Sequence, residues 1–191
     1  MPINLKSPTT RERLPIRPYS GHSSSAISFF QLENVYFALG RSSPWPTDED
    51  GRDENDPDFI PPEPAPEAKD VDELLGMKRV SRKTLVIPDP SGDIVYRGST
   101  WRSVSESEAI ELSARWVLIE ASFYYDELPV YQYRQVGIYS RTEKAASASP
   151  SGDVLQPNDI AKTGTLEVLD NRGVVTREAD TKSVFQMIIE F

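Results

Sequence analysis

Residues 115–140, RWVLIEASFYYDELPVYQYRQVGIYS, decide the fold class. The first half, 115–125, is the most apolar run of the chain and reads as a central strand. In the second half, Val130, Gln132, Arg134, Val136 and Ile138 alternate with Tyr131, Tyr133, Gln135, Gly137 and Tyr139. That period of two is the signature of a strand, here spanning 130–140. Asp126-Glu127-Leu128-Pro129 supplies turn chemistry between the halves, so an antiparallel pair is expected.

The same patterns extend outward in both directions. Toward the C-terminus, residues 141–162 are a polar excursion and TGTLEVL (163–169) is a strand. Asp170-Asn171-Arg172-Gly173 is a hairpin signal, with 174–177 returning from it, and SVFQMIIEF (183–191) closes the chain as a strand. Toward the N-terminus, SESEAIEL (105–112) has the capping pattern of a short helix. Residues 78–87 read as a strand ending at Pro88, 89–93 as a turn, and 94–97 as the return strand of a hairpin, continued by 101–104. DVDELL (70–75) opens with an N-cap candidate and predicts a short helix. NVYFALG (34–40) is a strand apolar on both faces, which predicts cover on both sides. The expected fold is mainly β: an antiparallel sandwich or half-barrel of about seven or eight strands, with long Pro-rich loops and at most one or two short helices.

Two stretches fit no element. Residues 1–25 are rich in Pro, Ser, Thr and Arg and read as an extended N-terminal arm, leaving 26–191 as a single β-rich domain. Within that domain, 41–69 is an acidic loop carrying Pro44, Pro46, Pro57, Pro61, Pro62, Pro64 and Pro66, residues that cannot donate to a ladder. A loop of this length inside a compact domain is functional or lacks fixed structure. Arg41, Pro44, Trp45, Pro46, Phe59 and Ile60 are its candidate partner-contact residues. Trp45 between two prolines is a stiff aromatic anchor, suited equally to a neighbouring subunit or to its own core.

Composition narrows the function. A formal net charge of -9 argues against a phosphate-backbone binder, and no nucleic acid partner is expected. The absence of cysteine removes disulfides, thiolate chemistry and Cys-based zinc sites. No apolar stretch is long enough for a spanning helix and the first residues lack a signal-peptide core, so a soluble intracellular product without membrane contact is expected.

Candidate chemistry is sparse. His22 is the only histidine and sits in a Ser-rich stretch, where it reads as a solvated residue rather than a triad base. Glu120, Asp126 and Glu127 lie near aromatics as a glycosidase pair would, although acids are ordinary in the turn that holds the last two. DEDGRDENDPD (48–58) invites a calcium-loop reading, but with Gly51 as the loop glycine the ligand places fall on Pro46 and Pro57. Phosphate-cradling glycine motifs are absent. Tyr131, Tyr133 and Tyr139 share one face on the alternating pattern, as a stacking row or as packing. The expectation is a protein that is not an enzyme, with no catalytic residues, no metal and no cofactor.

Four segments, in order, resemble the baseplate wedge subunits of contractile-tailed, T-even-type bacteriophages. NVYFALGRSSPW (34–45) is similar to a segment near the start of those proteins: a strand, Gly-Arg, small polar residues and Pro-Trp. The acidic Pro-rich loop through Pro61-Pro62 follows it. YRQVGIYS (133–140) resembles a late strand in which an Arg-Gln pair precedes alternating apolar residues. Asp180 and SVFQMIIEF resemble the terminal strand, and TLEVLDNR (165–172) resembles a segment before it in shorter relatives. The chain lacks the central insertion of the T-even protein. The resemblance implies a structural, mainly-β virion protein of the tail baseplate, assembled in the host cytoplasm. It also implies other baseplate and tail subunits as partners, and a homodimer within each wedge. The alternatives are another tail or neck protein, such as a collar or connector, and a glycan-binding or glycan-cleaving tail module.

Overall fold

The computed structural model describes residues 16–128, 132–149, 151–178 and 182–191. Helix α1 (Tyr19–Gln31) leads into β1 (Val35–Gly40). Residues 41–75 hold no helix or strand. They are followed by β2 (Gly76–Arg79), β3 (Arg82–Pro88), β4 (Ile94–Tyr96), β5 (Ser99–Ser103), α2 (Glu106–Glu111), β6 (Trp116–Phe123) and β7 (Gln132–Ser140). The short strands β8 (Glu143–Lys144), β9 (Val154–Leu155) and β10 (Ile160–Lys162) precede β11 (Thr165–Thr176) and β12 (Ser183–Glu190).

The strands form two five-stranded antiparallel sheets, β11-β7-β1-β2-β9 and β12-β6-β3-β5-β4, with β10-β8 as a separate ribbon. Their facing sides share one core, which includes Val35, Phe37 and Leu39 of β1, Val117 and Ile119 of β6, and Phe185, Met187 and Ile189 of β12. The mainly-β sandwich expected from the alternation is the fold observed. Phe185 joins the two sheets, with its ring 5.8 Å from Phe37, 5.0 Å from Phe123 and 6.1 Å from Tyr133. A second cluster of Tyr36, Ala38, Val71, Met77, Tyr139 and Leu155 covers the other side of the first sheet. Every residue of β1 is buried as a result, as its two apolar faces require.

Several local readings are corrected. Residues 19–25, read as extended arm, belong to α1. Its buried residues are Ser23, Ala26 and Phe29, spaced three apart, and the small side chains hide that stripe in a sequence of low helix propensity. Ser23, Ser24 and Ser28 turn their hydroxyls back onto the carbonyls four residues earlier. Residues 1–15 of the proposed arm lie outside the described residues. The 70–75 stretch is not a helix but a strip laid across the first sheet. Val71 N–H donates to Tyr139 Oη at 2.7 Å, Asp72 N–H to Gln135 Oε1 at 2.7 Å, and Leu75 N–H to the Leu39 carbonyl at 2.8 Å. The strip comes so close that a Cβ on Gly137 would stand 2.7 Å from Val71 Cγ1. Residues 78–87 are two strands in different sheets, separated at Val80-Ser81.

Pairing departs further from the expected hairpins. β6 and β7 sit in opposite sheets, so the turn at 126–128 crosses the sandwich. β4 pairs with β5 rather than β3, and β5 lies between them. Asp170-Asn171-Arg172-Gly173 is no turn: β11 runs through it as one strand with an irregularity between Asn171 and Val175. The helix reading at 105–112 holds as α2, with Ser105 and Glu108 forming the reciprocal capping box.

Phe185→Ala is expected to cost about 3–5 kcal/mol, because it removes a ring shared by both sheets and leaves a cavity. Chemical denaturation measures this; a change under about 1 kcal/mol would show that the sheets do not depend on that ring.

Candidate interaction surface

The segment 41–69 holds no helix or strand, yet side-chain bonds fix it to the first sheet. β7 carries Arg134 and Gln135 side by side, and both reach the outer side of the first sheet. Arg134 is 1% exposed and is the largest fully buried side chain among the described residues. Its guanidinium grips the Glu54 carboxylate with two nitrogens, Nε at 2.5 Å from Oε2 and Nη2 on Oε1, while Nη1 donates to the Ser42 carbonyl. Glu54 is itself only 11% exposed, and its Oε2 also accepts from the Trp45 N–H at 3.3 Å. One two-pronged ion pair thus joins the start and the middle of the loop to a central strand.

A second set of bonds closes the loop at its ends. Arg41, in a left-handed conformation with φ 55°, places its guanidinium 4.0 Å from the centre of the Trp45 ring. It also pairs with Asp72 at 3.0 Å and donates to the Pro44 carbonyl at 3.1 Å. Glu73, with φ 46°, accepts from Ser42 N–H and Ser43 N–H at 3.0 Å each and from Ser42 Oγ at 2.6 Å. Gln135 takes the Asp72 N–H on one amide atom and donates to Asn171 at 3.0 Å with the other. Asn171 in turn donates to the Pro62 carbonyl at 2.8 Å. Asp48 accepts from Asp50 N–H at 3.0 Å and from Arg52 N–H at 2.8 Å.

The six contact candidates divide between two sides of this strap. Trp45 is 8% exposed and donates its Nε1–H to the Arg172 carbonyl at 2.7 Å, so its ring covers its own domain. Arg41 and Phe59 are half-buried, whereas Pro44, Pro46 and Ile60 face outward, Ile60 at 69% exposure. The sequence did not bring out Glu54, Arg134 and Gln135 as the residues that hold the strap. An arginine within the apolar alternation of β7 was the available signal.

The residues considered for chemistry are engaged in the architecture. His22 is not free in solvent: Nδ1 lies 2.5 Å from the Phe191 carbonyl, because α1 docks beside the end of β12. Glu120 accepts from Gln186 Nε2 at 2.6 Å, and Glu127 pairs with Lys78 and caps Tyr124 N–H at 2.9 Å. Asp126 is exposed in its turn. Tyr133 and Tyr139 occupy opposite faces, Tyr133 in the main core and Tyr139 in the second cluster, since Arg134 and Gln135 both turn outward and shift the alternation. Tyr131 lies outside the described residues.

Comparison with known proteins places this β-scaffold with its clamped, outward-facing strap among virion proteins. The chain is 30% identical over 169 residues to Virion protein 3 of Enterococcus phage phiEF24C, covering 83% of this chain and 87% of that protein. The family described as "Baseplate wedge 3 tail fiber network component" matches residues 14–191, and the chain belongs to that family. It is a structural component of the phage virion tail that associates with other baseplate components. The baseplate resemblance read from the four segments is borne out.

Two outcomes follow from the strap. Glu54→Gln leaves Arg134 buried beside a neutral partner and is expected to cost about 3 kcal/mol, read by chemical denaturation. A loss below about 0.5 kcal/mol would remove the pair from its anchoring role. The second outcome concerns pH. The hydrogen bonds from Arg134 hold Glu54 below its ordinary value, and those from Ser42 and Ser43 hold Glu73 at about 2. Both carboxylates favour their charged form when folded. Their contribution is therefore complete above the ordinary value of 4.5 and is lost as pH falls through the folded values. In a Trp101→Phe/Trp116→Phe background, Trp45 fluorescence should stay constant from neutral pH down to about 5 and change below that. A change confined to higher pH would contradict the assignment.

Proposed function

We propose that the chain is a non-catalytic subunit of the baseplate wedge, with the sandwich as scaffold and the outer side of residues 41–69 as a contact surface for neighbouring tail subunits. The observation that carries this is the two-sided strap. Arg134 and Glu54 fix its inner side, while the outer side presents Pro44, Pro46 and Ile60 without cover from the described residues. A stiff, preformed surface loses little conformational entropy when a partner docks. The reading without catalysis is supported by Glu120, Glu127 and His22, each held by bonds to its own fold. A cysteine-free chain also suits assembly in the reducing host cytoplasm. Pairing with a second copy within each wedge completes the proposal; β11 and β12 are each the end strand of a sheet, with an outer edge unpaired among the described residues.

Ile60→Asp separates contact from folding. It is expected to change the stability of the isolated chain by no more than about 0.5 kcal/mol, since Ile60 is exposed, yet to lower incorporation into reconstituted baseplates. Normal incorporation, or density of the intact particle placing the chain at the neck, would overturn the proposal.

A further inference from the structure

The strap folds back on itself between residues 46–50 and 60–63 and encloses a groove. Its apolar lining comes from Pro46, Ile60 and Pro61, and acids flank it. Asp50 is paired with Arg52 at 2.8 Å, but Glu49 and Glu63 have no hydrogen bond or ion pair among the described residues. A groove with prolines, an exposed isoleucine and unmatched carboxylates fits an extended, proline-containing, basic segment.

We infer that this groove receives the N-terminal segment 1–15 of the protein itself. That segment, MPINLKSPTTRERLP, carries Lys6, Arg11 and Arg13 against the single acid Glu12, in a chain whose formal net charge is -9. Pro2, Pro8 and Pro15 favour the extended form that such a groove takes. Reach is sufficient. The later turns of α1, at Ser25 and Ser28, lie beside Arg141 at the end of β7 opposite Arg134, and Arg17, just after the segment, reaches Ser25 Oγ. Nine residues of β7 span roughly 30 Å, and the ten steps from Ile16 back to Lys6 span about 35 Å when extended, before the lysine side chain is added. The inference rests on the reading of residues 41–69 as a contact surface: in the isolated chain segment 1–15 occupies the groove at Pro46 and Ile60, and a neighbouring subunit takes its place there on assembly.

Zero-length carbodiimide cross-linking of the full-length protein, followed by peptide mass spectrometry, tests it. Lys6 is the only lysine in the segment, and its links are expected to concentrate on Glu49, Asp50 and Glu63. They should fall about fivefold in Arg11→Glu/Arg13→Glu, and again in roughly 1 M salt, where the screening length drops to about 3 Å. Glu63→Lys should abolish linkage at that position, and pairing it with Lys6→Glu should restore a link of reversed polarity. Lys6 links spread over exposed acids such as Glu111 and Glu178, indifferent to the two arginines and to salt, would overturn the inference. In that case the Ile60→Asp assembly result would still judge the contact-surface reading separately.

Discussion

The buried pair between Arg134 and Glu54 is the constraint around which the surface of this protein is organised. Residues 41–69 contain seven prolines and form no strand or helix, so their backbone groups cannot satisfy one another in a ladder. Charged side chains take over that task. Arg134 holds the Ser42 carbonyl and Glu54, Glu54 holds the Trp45 N–H, and Glu73 holds the N–H groups of Ser42 and Ser43. Desolvation offsets much of the attraction in a buried ion pair, so its larger effect is on position. Any other path of the loop leaves Arg134 uncompensated at high cost, and the chain is thereby restricted to one path over the first sheet.

That constraint separates what the sequence disclosed from what it withheld. Period-two alternation identified β7 and β12, and the two-faced apolar run identified β1, because these patterns report how a strand is buried. They do not report its partner. The turn at 126–129 therefore looked like a hairpin although β6 and β7 belong to different sheets. The DNRG stretch looked like a turn, yet Asn171 and Arg172 are drawn to Gln135 and Trp45, and those tertiary bonds keep β11 continuous. Ser23 and Ala26 gave α1 too weak an apolar stripe to read. In the candidate surface, Trp45 and Arg41 stood out as an aromatic and a cation among prolines. The pair that fixes them did not, since Arg134 and Glu54 are 80 residues apart in the chain and only the fold brings them together.

The strap accordingly differs from an arm ordered only by its neighbours. Its inner face is bound within the chain, with Trp45 closed over its own domain, and its outer face is left uncovered by the other described residues. For a subunit of the baseplate wedge family, such a division has a physical use. Fixing a contact surface before assembly lowers the entropy lost on docking, while the exposed residues remain free to set specificity.

Hydrogen exchange on the isolated chain tests this account most directly. The amides of Arg41, Ser42, Ser43, Trp45 and Arg52 each have a bonded acceptor within the same chain. They should exchange far more slowly than an unstructured peptide of the same sequence, with no other subunit present. Exchange of all five at the unprotected rate would show that the strap is not held by its own domain and would contradict the account.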